Sequence, residues 1–214
     1  MLKIVKECDT PFYLTGGTAL SRFYYHHRYS DDLDFFVNND VNFNKYFSKI
    51  LAEFEKFEKE NKLKINRTSI RKEFDFAQLF LSPPENEDVV LKIDFVNDIE
   101  VRFCEIIENQ VIKLDSWQNI LSNKIAALFR FAPKDIADIW VISKNQKFNW
   151  KELLYQAKKK EGGIDEVEAS KIIATFPIKK INEIKWALPV DSTEFEKELL
   201  IISEDMLLGN DNTL

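Results

Sequence analysis

Leu14-Thr15-Gly16-Gly17-Thr18-Ala19-Leu20 and, shortly after it, Arg28-Tyr29-Ser30-Asp31-Asp32-Leu33-Asp34-Phe35-Phe36 are the stretches whose reading decides the fold. Phe12, Tyr13 and Leu14 read as a short strand. Ala19, Leu20, Phe23 and Tyr24 then recur at helical spacing, so Gly16-Gly17 marks the turn from strand to helix. Tyr29 to Val37 returns to strand composition. Within it, alternation puts Asp32 and Asp34 on one face and Leu33 and Phe35 on the other. Two like charges ~7 Å apart beside an apolar core repel unless a cation neutralises them, and a bound Mg²⁺ would do so.

Working outward, Phe43, Phe47, Ile50, Leu51, Phe54 and Phe57 predict a helix over 43–60. Three β-like stretches follow at 63–74, 76–81 and 89–96, with Pro83-Pro84 and Glu85 to Asp88 as a loop, which suits an antiparallel meander. The last of them carries Asp94, with Lys92 on the same face. If this strand lies beside the first, three aspartates converge into an oxygen-rich platform of the kind that holds divalent cations for phosphoryl chemistry. The plainer reading, a solvent-facing sheet with Lys92 as a salt-bridge partner to the aspartates, competes equally for each motif alone. The glycine pair favours chemistry. Exposed amides at a strand-to-helix turn cradle phosphate, the missing Cβ gives access, and the Thr18 hydroxyl adds a donor. Gly-Gly alone is more often a simple turn.

Beyond residue 115 strand signals fade and helical spacing takes over, predicting segments near 117–130, 133–144, 149–160, 165–176 and 192–208. The chain thus reads as an α+β protein: an α/β domain over 1–115, then a helical domain over 116–214 forming a bundle. Gly209 to Leu214 reads as a frayed tail. Phe occurs 18 times in 214 residues, enough aromatic bulk for a sizeable core. Cys8 and Cys104 lack metal-ligand spacing and read as reduced thiols. No apolar run reaches the ~20 residues a membrane helix needs, and Met1 to Asp9 is too charged for a signal peptide, so a cytoplasmic protein without membrane attachment is expected. A net charge of −6 argues against a general nucleic-acid coat protein. Local RNA contact through Lys158-Lys159-Lys160 or Lys179, Lys180 and Lys185 stays open beside the plainer reading of solvated helix faces.

The two opening stretches resemble the signature of the AbiEii/AbiGii-type nucleotidyltransferase toxins, within the DNA polymerase β-like nucleotidyltransferase superfamily. The resemblance is supported by Leu121-Ser122-Asn123-Lys124-Ile125-Ala126-Ala127-Leu128 and by Arg130 to Asp138. It implies a minimal nucleotidyltransferase fold, a mixed β-sheet flanked by helices, followed by a helical bundle. It implies Asp32, Asp34 and Asp94 as metal ligands and catalytic carboxylates for Mg²⁺ or Mn²⁺, an NTP as substrate, and Lys124 as a catalytic cation facing the triphosphate. It places Gly16, Gly17, Thr18, Ser30, Lys134, Asp135 and Asp138 around the nucleotide, Arg130 standing one residue upstream of the family pattern. Each of the later residues also has an ordinary role: Lys124 as a solvated helix lysine, Asp135 as a partner of the helix dipole after Pro133, Lys134 with Asp138 as an i,i+4 pair.

The resemblance further implies the toxin of a toxin–antitoxin or abortive-infection pair, with a cognate antitoxin as partner and RNA, tRNA included, as acceptor. Two other classes compete. A nucleotide-binding regulatory module would bind without turnover, and a small-molecule adenylyltransferase of the antibiotic-modifying type would label no macromolecule. His26 and His27 lack partners at metal-ligand spacing and receive no catalytic role. Phe23, Tyr24 and Tyr25 read as packing.

Overall fold

The computed structural model describes all residues, 1–214. The elements in chain order are α1 (Leu2–Glu7), β1 (Tyr13–Thr15), α2 (Gly16–Ala19) running into a π-helical turn (Leu20–Tyr24), β2 (Leu33–Asn38), α3 (Phe43–Lys59), β3 (Lys64–Ile65), β4 (Arg71–Lys72), β5 (Phe76–Ser82), β6 (Leu91–Asp98), α4 (Trp117–Ala126), α5 (Pro133–Asn145), α6 (Trp150–Lys160), α7 (Glu166–Ala174) and α8 (Ser192–Leu208). They form two compact units that interleave along the chain. One comprises 1–19, 31–100 and 105–115; the other comprises 20–30, 101–104 and 116–214.

The first unit is built on a six-stranded sheet of order β1-β2-β6-β5-β3, with β4 also on β5. β2 and β6 pair in parallel and every other pairing is antiparallel, so the sheet is mixed. Alternation sets its faces. Leu33, Phe35, Val37, Ile93, Phe95, Leu79 and Leu81 are buried, while Asp34, Phe36, Lys92, Asp94 and Val96 on the opposite face are half-exposed. The helical stripe predicted for α3 supplies buried Phe43, Phe47, Ile50 and Phe54. Phe95 is the hub: its ring centroid lies 5.4 Å from Phe35 in a stacked pair, and 5.1 Å from Phe12 and 5.4 Å from Phe47 edge to face.

The second unit is helical. Side-chain caps at Ser116, Asn149, Asp165 and Asp191 open four of its helices, and Pro133 opens α5. Trp140, Trp186 and Phe195 pack edge to face at its centre.

Three expectations need correction. The strand expected over 29–37 begins only at Leu33, because Arg28 bridges to Trp186 and the Tyr29 amide donates to the Lys185 carbonyl. The stretch expected as one strand over 63–74 is broken by a 3₁₀ turn at Arg67–Ser69 between two two-residue strands. The expected frayed tail is instead tied down. The amide of Trp150 donates to Asn210, that of Asn212 donates to Phe148, and the Asn212 side chain donates to the Ser143 and Gln146 carbonyls at 2.7 and 2.8 Å. Asn and Asp are common in loose ends, but here their donors satisfy backbone carbonyls at helix ends that would otherwise lack partners.

Truncating the Phe95 hub to alanine is expected to lower the unfolding free energy by about 3–5 kcal/mol in urea titration, and Phe95→Leu by clearly less. Equal effects would show that the aromatic contacts are not what the core needs.

Candidate active site

The parallel pairing of β2 and β6 sets Asp34 directly opposite Asp94, with Thr15 of β1 on the other side of Asp34. Next to Asp94, on β5, stands Gln78, whose amide donates to Asp94 Oδ1 at 2.7 Å. One row across four strands thus reads Thr15, Asp34, Asp94, Gln78. The Thr15 hydroxyl donates in turn to Asp115 Oδ2 at 2.7 Å, a carboxylate with no solvent exposure.

Gly16 begins the turn out of β1 with φ +68°, in the left-handed region that favours glycine, and a Cβ there would lie 2.7 Å from Asp34 Oδ2. The missing side chain therefore makes room for the aspartate, a more specific requirement than the access for phosphate expected from the sequence. Thr18 likewise differs from expectation. Its hydroxyl, expected as a phosphate donor, donates to the backbone carbonyl of Asp32. Asp32 precedes β2 rather than lying in it, and Thr18 ties down its backbone. Gly17 is buried in the same turn.

The three aspartates do not close into one ligand cluster; no three His, Cys, Asp or Glu side chains do so in this chain. Two of them, Asp32 and Asp94, share a cation instead: Lys92 Nζ lies 3.1 Å from Asp32 Oδ2 and 3.2 Å from Asp94 Oδ2. Repulsion between carboxylates on one face explains why a lysine sits between them. Burial alone would lower the Lys92 pKa, but the hydrogen bonds and charges of Asp32 and Asp94 outweigh it and hold the group above its ordinary value. The donor chemistry of the aspartates, carboxylate oxygens only, is of the kind that a hard divalent cation takes, while in this conformation Lys92 holds the place between Asp32 and Asp94.

The remaining motif residues lie in the helical unit, where Lys124, Asp135 and Asp138 form a buried ion cluster. Lys124 Nζ is 2.7 Å from Asp135 Oδ1 and 2.7 Å from Asp138 Oδ2. Arg130 closes on Asp135 Oδ2 at 2.6 Å. Asp138, with no exposure, takes four contacts: Arg28 Nε and His27 Nε2 at Oδ1, Arg28 Nη2 and Lys124 at Oδ2. Burial alone would raise the Asp138 pKa, but the Lys124 charge and the hydrogen bonds from His27 and Arg28 hold it far below the usual carboxylate range. Asp135 is lowered in the same way, against its burial, by Lys124 and Arg130.

Lys124 is therefore neither solvated nor open to a ligand in this conformation. Asp138 pairs with Lys124 and Arg28 instead of Lys134, which stays exposed on the first turn of α5, and Ser30 lies half-buried at the end of the 20–30 segment. His27, assigned no role from sequence, is buried with its Nδ1 lacking a partner. Gln78 was also missed. Its one signal is parity: in Phe76-Ala77-Gln78-Leu79-Phe80 it is the polar residue of an otherwise apolar strand.

The profile of the AbiEii family, described as nucleotidyl transferase AbiEii toxin of a type IV toxin–antitoxin system, matches residues 5–202. The chain belongs to the AbiEii nucleotidyltransferase toxin family. Among solved structures it resembles a nucleotidyltransferase-type protein from H. pylori, with 18% identity over 97% of this chain and 91% of the other and a TM-score of 0.65. It also resembles JHP933 from Helicobacter pylori, with 17% identity, 97% and 88% coverage and a TM-score of 0.60. MenT4, a nucleotidyltransferase toxin from Mycobacterium tuberculosis H37Rv, shares 14% identity over 97% and 80% with a TM-score of 0.59. At such identities these likenesses speak for the fold. No curated protein matches the chain by sequence. As a member of the AbiEii family the chain is a nucleotidyltransferase, and no helix is long and apolar enough to cross a membrane.

Two predictions follow from this geometry. Gly16→Ala should displace Asp34 and reduce nucleotidyl transfer at least about tenfold, from strain at positive φ together with the steric overlap; unchanged activity would mean that Asp34 does not need its present position. The depressed carboxylates of Asp135 and Asp138 contribute stability that is complete above the unfolded value near pH ~4 and is lost as pH falls below it. Asp138→Asn should therefore cost about 3–5 kcal/mol at pH 7 and flatten the fall in unfolding free energy between about pH 5 and pH 2. An acid limb as steep as in the parent protein would remove Asp138 as its source.

Proposed function

We propose that this chain transfers a nucleoside monophosphate from an NTP to an RNA acceptor, tRNA included, with Mg²⁺ or Mn²⁺ held by Asp32, Asp34 and Asp94, as the toxin of a toxin–antitoxin pair with a cognate antitoxin. The observation that carries this reading is the register that sets Asp34 against Asp94 on adjacent parallel strands, beside the left-handed Gly16. In the reaction an acceptor hydroxyl gives up its proton, its oxygen attacks the α-phosphorus, the α–β phosphoanhydride bond breaks and pyrophosphate leaves. The divalent cation, when bound, supplies charge neutralisation at the triphosphate and lowers the pKa of the attacking hydroxyl.

The chain's own groups orient these partners. Asp34 and Asp94 present oxygens from one sheet face, Gln78 fixes the rotation of Asp94 by holding one of its oxygens, and Thr18 fixes the backbone of Asp32. Gly16 keeps Asp34 close to the turn, where the half-exposed Gly16 backbone would meet phosphate, Gly17 and the residues after it being buried. In this reading the first unit does the chemistry and the helical unit, held by its ion cluster, contributes acceptor selection.

Purified protein incubated with α-labelled NTPs, Mg²⁺ and total cellular RNA is expected to label RNA. Asp34→Asn and Asp94→Asn should each lower that labelling by about a thousandfold. Label confined to small molecules would replace the RNA acceptor by a metabolite. Nucleotide binding without labelling of anything would turn the reading to a regulatory module.

A further inference from the structure

The cation already seated at the carboxylates carries an inference of its own. Lys92 and Asp94 are two residues apart on β6 and so share a face. The two oxygens of Asp94 are divided between neighbours: Oδ1 accepts from the Gln78 amide at 2.7 Å, and Oδ2 lies 3.2 Å from the Lys92 ammonium. That ammonium also lies 3.1 Å from Asp32 Oδ2. The one Asp94 oxygen that Gln78 leaves for a divalent ion is thus the one that Lys92 occupies, and the same ammonium also holds one oxygen of Asp32. A Mg²⁺-type ion needs such oxygens at about 2.0–2.1 Å, and it cannot share them at that range with a second positive charge.

The lysine is placed to leave as well as to stay. Its side chain is 31% exposed, against 15% for Asp94, and it is a flexible stem carrying a compact charge whose carboxylate partners are Asp32 and Asp94 themselves. A nucleoside triphosphate brings several negative charges to the same face and offers the ammonium another partner. A free divalent ion offers it only repulsion.

We propose that Lys92 is a specificity-determining residue of this site: a resident cation that keeps free divalent ions off Asp32 and Asp94 until a triphosphate draws its ammonium away. The ion then enters with the nucleotide, and the nucleotide-free protein holds it weakly. This rests on the reading of the aspartates as the metal seat.

The test is direct Mn²⁺ binding, followed through the electron paramagnetic resonance signal of the free ion, on the full chain without nucleotide. Lys92→Met is expected to bind Mn²⁺ about tenfold more tightly than the parent protein, and Lys92→Arg to stay weak because it keeps the charge. A non-hydrolysable NTP analogue should raise Mn²⁺ affinity strongly in the parent protein and by a smaller factor in Lys92→Met, since the block can be removed only once. Lys92→Gln serves the same purpose should the methionine variant fail to fold.

If the neutral variants bind Mn²⁺ no better than the parent while Asp94→Asn weakens binding in both backgrounds, the carboxylate seat stands and the role of Lys92 is overturned. If Asp94→Asn leaves Mn²⁺ affinity unchanged in the Lys92→Met background, the seat itself is overturned and the lysine proposal falls with it.

Discussion

The pairing of two parallel strands, β2 and β6, is the constraint on which the candidate site depends. In a strand the side-chain period is two, so a slip of one residue would carry Asp34 and Asp94 into the aromatic core and bring Phe35 and Phe95 out to solvent. The register is held from the buried side. Phe35 stacks on Phe95, and Phe12 and Phe47 close around the same ring. The apolar half of the sheet thereby sets where the acidic half must be, and the geometry of the candidate site is secured by packing rather than by contacts among the carboxylates, which repel one another.

The charges of the chain are treated in two different ways. At the sheet and its edge, Asp32, Asp94 and Lys92 remain partly solvated. In the helical unit, Lys124, Arg28, Asp135 and Asp138 are nearly inaccessible, two positive groups against two negative, with Arg130 at the rim. Removing ions from water costs several kcal/mol each, and only full satisfaction of their hydrogen bonds offsets it. Asp138 meets that condition with contacts to both oxygens. Such a cluster ties His27 and Arg28 to one arrangement of α4 and α5 and need add little net stability.

Much of this was legible in the sequence because it rests on period and local chemistry. Alternation exposed Asp34 and Asp94, the apolar stripe of 43–60 gave α3, and Pro133 marked the start of α5. What was not legible depends on distance along the chain. Lys124, Asp135 and Asp138 were recognisable as motif residues, yet nothing local says that they bury one another, because two of the partners, His27 and Arg28, come from more than a hundred residues away. Helix α1 escaped notice for a local reason: six residues of mixed charge give too short a stripe. The tail was misread because Asn and Asp serve equally in loose ends and in caps, and only the helix ends they meet decide between the two.

The interleaving of the two units bears on how the protein emerges from the ribosome. His27 and Arg28 are synthesised 111 and 110 residues before Asp138, the carboxylate they contact, so those contacts cannot form until the whole strand-bearing stretch has been translated. The sheet can mature early, whereas the helical unit has no closed centre until α5 has left the exit tunnel. A nascent chain halted before that point would carry its Asp-x-Asp segment with the preceding residues still without their helical partners.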